Sequence, residues 1–215
     1  MSLITLTDPQ SPVSEAYRTL RTNLSFYSLD NPLRSLVVTS PAVGEDKGEL
    51  VANLAVTMAQ SGRKTLLIDC DLRRPVLHEC FGLSNESGLT NMILNDEQAP
   101  PLQETRVANL TLLTSGSKPP NPADLLGSKK VDQLIVNMTE QFDFVLFHAP
   151  PVVALTDATI LGAKVDGVLL IITAGKTRRD HAEKAKDMLE KAHVRVVGVA
   201  LTNAPKDSSL GDYYN

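Results

Sequence analysis

The chain has 215 residues, 42% of them hydrophobic, with 12 glycines, which is enough for one buried core and a single domain over 1–215. Lys and Arg total 21 against 25 acidic residues, a formal charge of -4, so nucleic acid is not an expected partner. Cys70 and Cys80 are too few for a disulfide framework and stand in no metal-ligand spacing, which fits a reducing cytoplasm. No apolar run reaches the ~20 residues that span a bilayer. The start MSLITLTDPQSP has no basic region or cleavage site. A soluble chain is therefore expected, with any membrane association supplied by a partner.

The segment SPVSEAYRTLRTNLSFY comes first. Val13, Tyr17, Leu20, Leu24 and Tyr27 alternate in steps of four and three, a single apolar stripe, with Ser11 and Pro12 as cap and first turn. A helix is predicted over 11–28. Glu15, Arg18 and Arg21 lie three apart on its flank and, taken alone, read as solvated charge.

Six runs rich in Val, Ile and Leu follow: SLVVTS at 35, TLLID at 65, LTLLTS at 110, FDFVLFH at 142, GVLLIITA at 167 and VRVVGVALT at 194. Their continuous apolar character says that both faces are covered. Helix-period segments at 48–61, 128–141, 156–165 and 178–192 separate them. That alternation predicts a doubly wound α/β fold with a mostly parallel sheet and an extra N-terminal helix. Ligands of such sheets sit outside the carboxyl ends of the strands, here marked by Ser40, Asp69, Ser115, His148 and Ala174. The proline-rich stretch 113–128 reads as a long connection at that edge. Residues 205–215 lack periodicity and are expected to form a mobile tail.

Three stretches at the carboxyl edge carry chemistry. TSPAVGEDKGEL, 39–50, lies between a strand and a helix, where a G-x-x-x-x-G-K-[ST] loop would present backbone N–H groups, a Lys and a metal-binding hydroxyl to phosphates. Lys47 occupies the Lys position, but Asp46 replaces the preceding Gly and Gly48 replaces the Ser or Thr. TLLIDCDLRRP, 65–75, ends a strand with Asp69 and Asp71, followed by Arg73. Buried carboxylates call for a cation such as Lys or Mg²⁺; the plain alternative is that they cap the turn and the next helix. FDFVLFHAPP, 142–151, has the strand of a Walker B motif with His148 in place of its terminal acid. A different metal gathered by Asp46, Glu49, Asp69, Asp71 and His148 is a further option, since His and carboxylates suit transition metals.

These stretches together with EAYRTLR resemble the bacterial protein-tyrosine kinases, or BY-kinases, of capsular and exopolysaccharide biosynthesis. DCDLRRP matches the family's D-x-D-x-R-x-P motif and EAYRTLR its E-x-x-R-x-x-R motif, within a resemblance covering about 11–215. The resemblance implies a MinD-like P-loop NTPase fold that uses ATP or ADP with Mg²⁺, and an N-terminal helix that joins subunits into a ring. It also implies a C-terminal tyrosine cluster phosphorylated in trans, and a membrane activator or polysaccharide copolymerase whose cytoplasmic tail docks on the domain.

Carried onto this sequence, it makes Lys47, Asp69 and Asp71 the catalytic positions, with Asp69 activating the acceptor hydroxyl and organising Mg²⁺. Gly44, Glu45, Asp46, Lys47, Gly48, Glu49 and Arg73 become the nucleotide-binding positions, and Asp69, Asp71 and His148 a degenerate metal site. Glu15, Arg18 and Arg21 become oligomer contacts, and Tyr213 and Tyr214 a sparse phosphoacceptor cluster. Val43, Asp46, Gly48 and His148 depart from the pattern. A carboxylate about 4 Å from a phosphate charge costs about 4 kcal/mol at an effective dielectric near 20, roughly three orders of magnitude in affinity. The expectation is therefore a cytoplasmic pseudokinase with impaired MgATP binding that acts through further copies of itself, a mixed ring with an intact kinase, or a membrane partner. An active tyrosine autokinase is the alternative. A Min/Par-type positioning ATPase is disfavoured, because Ala42 stands where that class carries a signature lysine.

Overall fold

The computed structural model describes residues 3–27, 30, 32–45 and 47–204. Asp46, Tyr213 and Tyr214, to which the sequence assigned roles, and the whole tail 205–215 lie outside the described residues. The chain runs through α1 (Ile4–Thr7), α2 (Pro12–Phe26), β1 (Ser35–Thr39), α3 (Lys47–Gln60), β2 (Thr65–Asp69), α4 (Leu77–Phe81), α5 (Leu89–Asn95) and β3 (Gln103–Glu104). It continues through β4 (Leu110–Leu113), α6 (Pro122–Gly127), α7 (Lys129–Gln141), β5 (Phe144–His148), α8 (Asp157–Gly162), β6 (Gly167–Thr173), α9 (Arg179–Lys191) and β7 (Val196–Thr202).

Among the described residues the strands form one sheet in the order β3-β4-β2-β5-β1-β6-β7, parallel except for the two-residue β3, which runs antiparallel to β4. Every residue of β1, β2 and β5 is buried, as their unbroken apolar runs require. One apolar cluster, including Phe147, Leu126 and Leu189, fills the side under α5 to α9. The other, including Phe144, Leu36 and Met58, fills the side under α2, α3 and α4. The expected α/β architecture is therefore present. The edge strand β7 departs from the continuous burial that its sequence suggests. It alternates, leaving Val199 and Leu201 more than half exposed.

The helix predicted over 11–28 spans Pro12–Phe26. Ser11 Oγ accepts the Ser14 N–H at 3.2 Å, and Pro12 sits at the first turn. Its apolar stripe is used unevenly: Leu24 is buried, while Val13 and Tyr27 remain exposed. The helix lies across α3, whose residues Leu50 to Ala59 are all buried. A helix covered by a sheet on one side and by α1 and α2 on the other does not need an amphipathic face. Thr5 of α1 closes this layer, its N–H and hydroxyl both donating to Asn53 Oδ1 at 3.1 and 2.8 Å. The 113–128 stretch is not wholly a connection, since it contains α6, begun by Pro122 at the first turn.

Candidate functional site

The site is assembled by strand register. Parallel pairing of β2 with β5 sets Asp69 opposite His148, and pairing of β1 with β5 sets Val38 against the same His148. The ends of β1, β2 and β5 thus bring the loop 40–45, the 70–76 turn and His148 to one point at the carboxyl edge. In the loop, Gly44 takes φ +84°, a left-handed conformation that suits glycine.

Asp69 is fully buried and both of its oxygens are spent. Oδ1 accepts from His148 Nδ1 at 2.9 Å and from the Asp71 N–H at 3.2 Å. Oδ2 accepts from the N–H groups of Val76 and Leu77, each at 3.0 Å. These last two are orphan donors at the start of α4, so Asp69 caps that helix from a distance. A carboxylate accepts only, so Nδ1 of His148 carries the proton. Its Nε2 is buried and has no hydrogen-bond partner among the described residues. Asp71 accepts the Arg74 N–H at 3.0 Å through Oδ1 and meets Lys47 Nζ at 3.5 Å through Oδ2. Between them Asp69 and Asp71 do what the plain alternative foresaw, holding a turn and a helix start.

The remaining predicted residues fall as follows. Glu45 is buried. Its Oε1 accepts from the Thr177 hydroxyl at 2.5 Å, its Oε2 has no partner among the described residues, and Thr177 in turn accepts the Thr173 N–H at 2.8 Å. Arg73 makes a paired contact with Asp157, Nε to Oδ2 at 3.2 Å and Nη2 to Oδ1 at 3.3 Å, and Asp157 is itself fully buried. Glu49 is half-buried beside a cavity of about 410 Å³, which is also lined by Tyr17, Thr173, Lys176, Thr202 and Asn203. On α2, Arg18 Nη1 pairs with Glu15 at 2.8 Å, and Arg21 Nη1 donates to the Thr57 carbonyl at 3.1 Å, tying α2 to the last turns of α3.

The electrostatics of the site register on its neighbours. Burial pushes the Cys70 thiol well above its usual range, reinforced by the carboxylates of Asp69, Asp157 and Asp71. Tyr17 is pushed up to about 12 by burial and by Glu49.

Asp69, Asp71 and His148, expected as a degenerate metal site, meet at the carboxyl edge, where His148 Nδ1 bonds Asp69 at 2.9 Å. Among the described residues no group of three His, Cys, Asp or Glu side chains is placed to hold an ion. The reason is that the donors satisfy one another: His148 and three backbone N–H groups use up Asp69, and Lys47 and Arg74 engage Asp71. Phosphate fits the site better. Lys47 opens α3, where helix N–H groups and the helix dipole favour an anion. Toward a metal, Gly48 offers no hydroxyl and His148 no carboxylate.

Three of the site's partners escaped the sequence. Asp157 begins α8 as an acid in its first turn, a detectable signal, but its Arg73 partner is 84 residues away. Thr177 and Val76 carry no local signature.

The chain is 44% identical over 215 residues to tyrosine-protein kinase YwqD of Bacillus subtilis (strain 168), covering 99% of this chain and 90% of that protein. It belongs to the bacterial tyrosine-protein kinase family. A ParA family model described as NUBPL iron-transfer P-loop NTPase also matches residues 33–203. Among solved structures, the chimerical protein CapA2B2 superposes with a TM-score of 0.90 at 35% identity, over 95% of this chain and 90% of that one. The cell division ATPase MinD of Pyrococcus furiosus superposes with a TM-score of 0.68 at 21% identity, over 84% of this chain and 79% of that one, a likeness of fold. The fold is thus that of MinD-like P-loop ATPases, with the kinase family's own motifs at its carboxyl edge. Among the described residues no helix is long and apolar enough to cross a membrane.

Proposed function

We propose that this member of the tyrosine-kinase family is a pseudokinase: a folded P-loop domain that does not hold Mg²⁺ with ATP productively and works through its surfaces. The observation that carries the proposal is the closed hydrogen-bond set of Asp69, whose two oxygens serve His148 Nδ1 and three backbone N–H groups. Phosphoryl transfer is mostly positioning and charge neutralisation by the metal, so an acid committed to holding a turn contributes little to it. Lys47, with the α3 N-terminus, would hold phosphate; Mg²⁺, where it is bound in this fold, neutralises the outer phosphates. The Gly48 and His148 positions withdraw the ligands for it.

The second reading is an active autokinase that phosphorylates Tyr213 and Tyr214. It is favoured by Lys47 and Asp71, both kept at the loop and 3.5 Å apart. Incubation with radiolabelled ATP and Mg²⁺ separates the two: no phosphotyrosine is expected, and label on Tyr213 or Tyr214 would reverse the proposal.

By the same proposal the chain acts in the cytoplasm, in capsule or exopolysaccharide synthesis. Its partners are other copies, an intact kinase whose ring it joins, or the tail of a membrane activator. Glu15, Arg18 and Arg21 are the contacts proposed for the ring. Replacing both arginines by alanine should reduce oligomer mass in sedimentation, and an unchanged mass would remove them from that role.

A further inference from the structure

Building on the proposal that the metal side of the loop is incompetent, we infer that Val76 is the residue that closes it. Its side chain occupies the space that a hydroxyl residue at position 48 would need, so the defect is a packed unit of Gly48, Val76 and His148 and not the loss of one oxygen. A Cβ placed on Gly48 would lie 2.6 Å from Val76 Cγ2 and 3.8 Å from His148 Nε2. Carbon atoms in van der Waals contact keep about 3.5–4.0 Å, so no side chain at position 48 coexists with Val76 as it stands.

Val76 is held there from both ends. Its own N–H and that of Leu77 are bonded to Asp69 Oδ2 at 3.0 Å, which fixes the backbone, and its β-branched side chain has few χ1 choices. Gly48 is buried in the first turn of α3, whose residues Leu50 to Ala59 are all buried, which limits how far the helix can retreat. His148 adds a second barrier. Its Nε2 is buried, has no partner among the described residues and faces the same point, so a hydroxyl placed there would bond to the imidazole instead of remaining free for a cation. The acid that the family's pattern makes catalytic, Asp69, is here the latch that keeps the plug seated.

Two sets of variants test this. In a stability cycle, Gly48→Ser is made alone and together with Val76→Ala, and melting temperature is read by calorimetry. Overpacking of this kind should lower Tm by roughly 5 °C with Val76 present and by about 1 °C or less without it. Gly48→Ala serves the same cycle if the serine variant does not fold. In a binding set, ADP is titrated with and without Mg²⁺ into Asp46→Gly/Gly48→Ser/His148→Asp, each with and without Val76→Ala. Mg²⁺ should tighten ADP at least tenfold only when Val76→Ala is included.

Equal cost of Gly48→Ser in the two backgrounds, which would mean that Val76 simply rotates away, overturns the inference. Magnesium dependence gained with Val76 in place, or absent from both members of the binding set, overturns it as well. Phosphotyrosine formed by the unaltered protein would instead sink the pseudokinase proposal, and the stability cycle would then decide the role of Val76 by itself.

Discussion

Asp69→Asn is an almost isosteric change, and it separates a catalytic acid from a structural one. The carboxylate accepts four hydrogen bonds in a fully buried position. An amide has one oxygen and one NH₂ group. In its better orientation the oxygen serves Val76 and Leu77, and the NH₂ faces His148 Nδ1, which must change tautomer to accept. The Asp71 N–H then loses its acceptor, a cost of about 1–3 kcal/mol for a buried donor. The two surviving backbone bonds, from Val76 and Leu77, drop from charge-assisted to neutral, which costs about 1 kcal/mol more for each. The sum is about 4 kcal/mol. At about 2–4 °C per kcal/mol for a domain of this size, Tm should fall by about 8–16 °C. Scanning calorimetry of the unaltered and Asp69→Asn proteins reads it directly. Acids kept for catalysis are often held at a cost to stability, and their removal is neutral or stabilising. An unchanged or raised Tm would therefore refute the reasoning and return Asp69 to the role that the family's motif implies.

Further outcomes follow from the same geometry. Arg73→Ala leaves the fully buried Asp157 carboxylate without its guanidinium, so a loss of about 3 kcal/mol is expected in denaturant titration, and a loss below about 1 kcal/mol would contradict the pairing. Cys70 and Tyr17 hold their protons to higher pH when folded than when unfolded. Above about pH 9 the unfolded chain therefore binds fewer protons, and stability should fall as pH climbs. Urea midpoints at pH 7 and pH 10.5 should show the drop, with Cys70→Ala reducing it; equal midpoints would contradict the burial of both groups. Asp166 Oδ2 accepts the N–H groups of Arg34 and Ser35, each at 2.8 Å, and the Ser35 hydroxyl at 2.9 Å. Asp166→Ala should cost about 2 kcal/mol by denaturant titration without altering any ligand binding.

The strands were readable because their chemistry is local. SLVVT, TLLID and FVLFH are apolar on both faces and have no other soluble use. Ser11 and Pro12 announced α2 by the same kind of local rule. Helices α1, α4, α5 and α6 were missed, because four to seven residues give too few turns to show a 3.6-residue period, although α8, six residues long, fell within the predicted 156–165. The burial of α3 on all sides from Leu50 to Ala59 was not readable either, since it depends on where α2 lies and not on the residues of α3.

The same division holds at the site. The sequence names Lys47, Asp69, Asp71 and His148, and strand order brings them to one edge. What it does not contain is the register that sets Asp69 beside His148, or the 84-residue separation that Arg73 and Asp157 close. Those two facts give Asp69 and Arg73 their side-chain partners.

The central claim is that the loop keeps a place for phosphate but none for the metal. The most direct measurement is calorimetric titration of the unaltered protein with ADP, first in EDTA and then in excess Mg²⁺. Binding should be weak in both, no tighter with Mg²⁺ than without it. Affinity that rises tenfold or more on adding Mg²⁺ would contradict it.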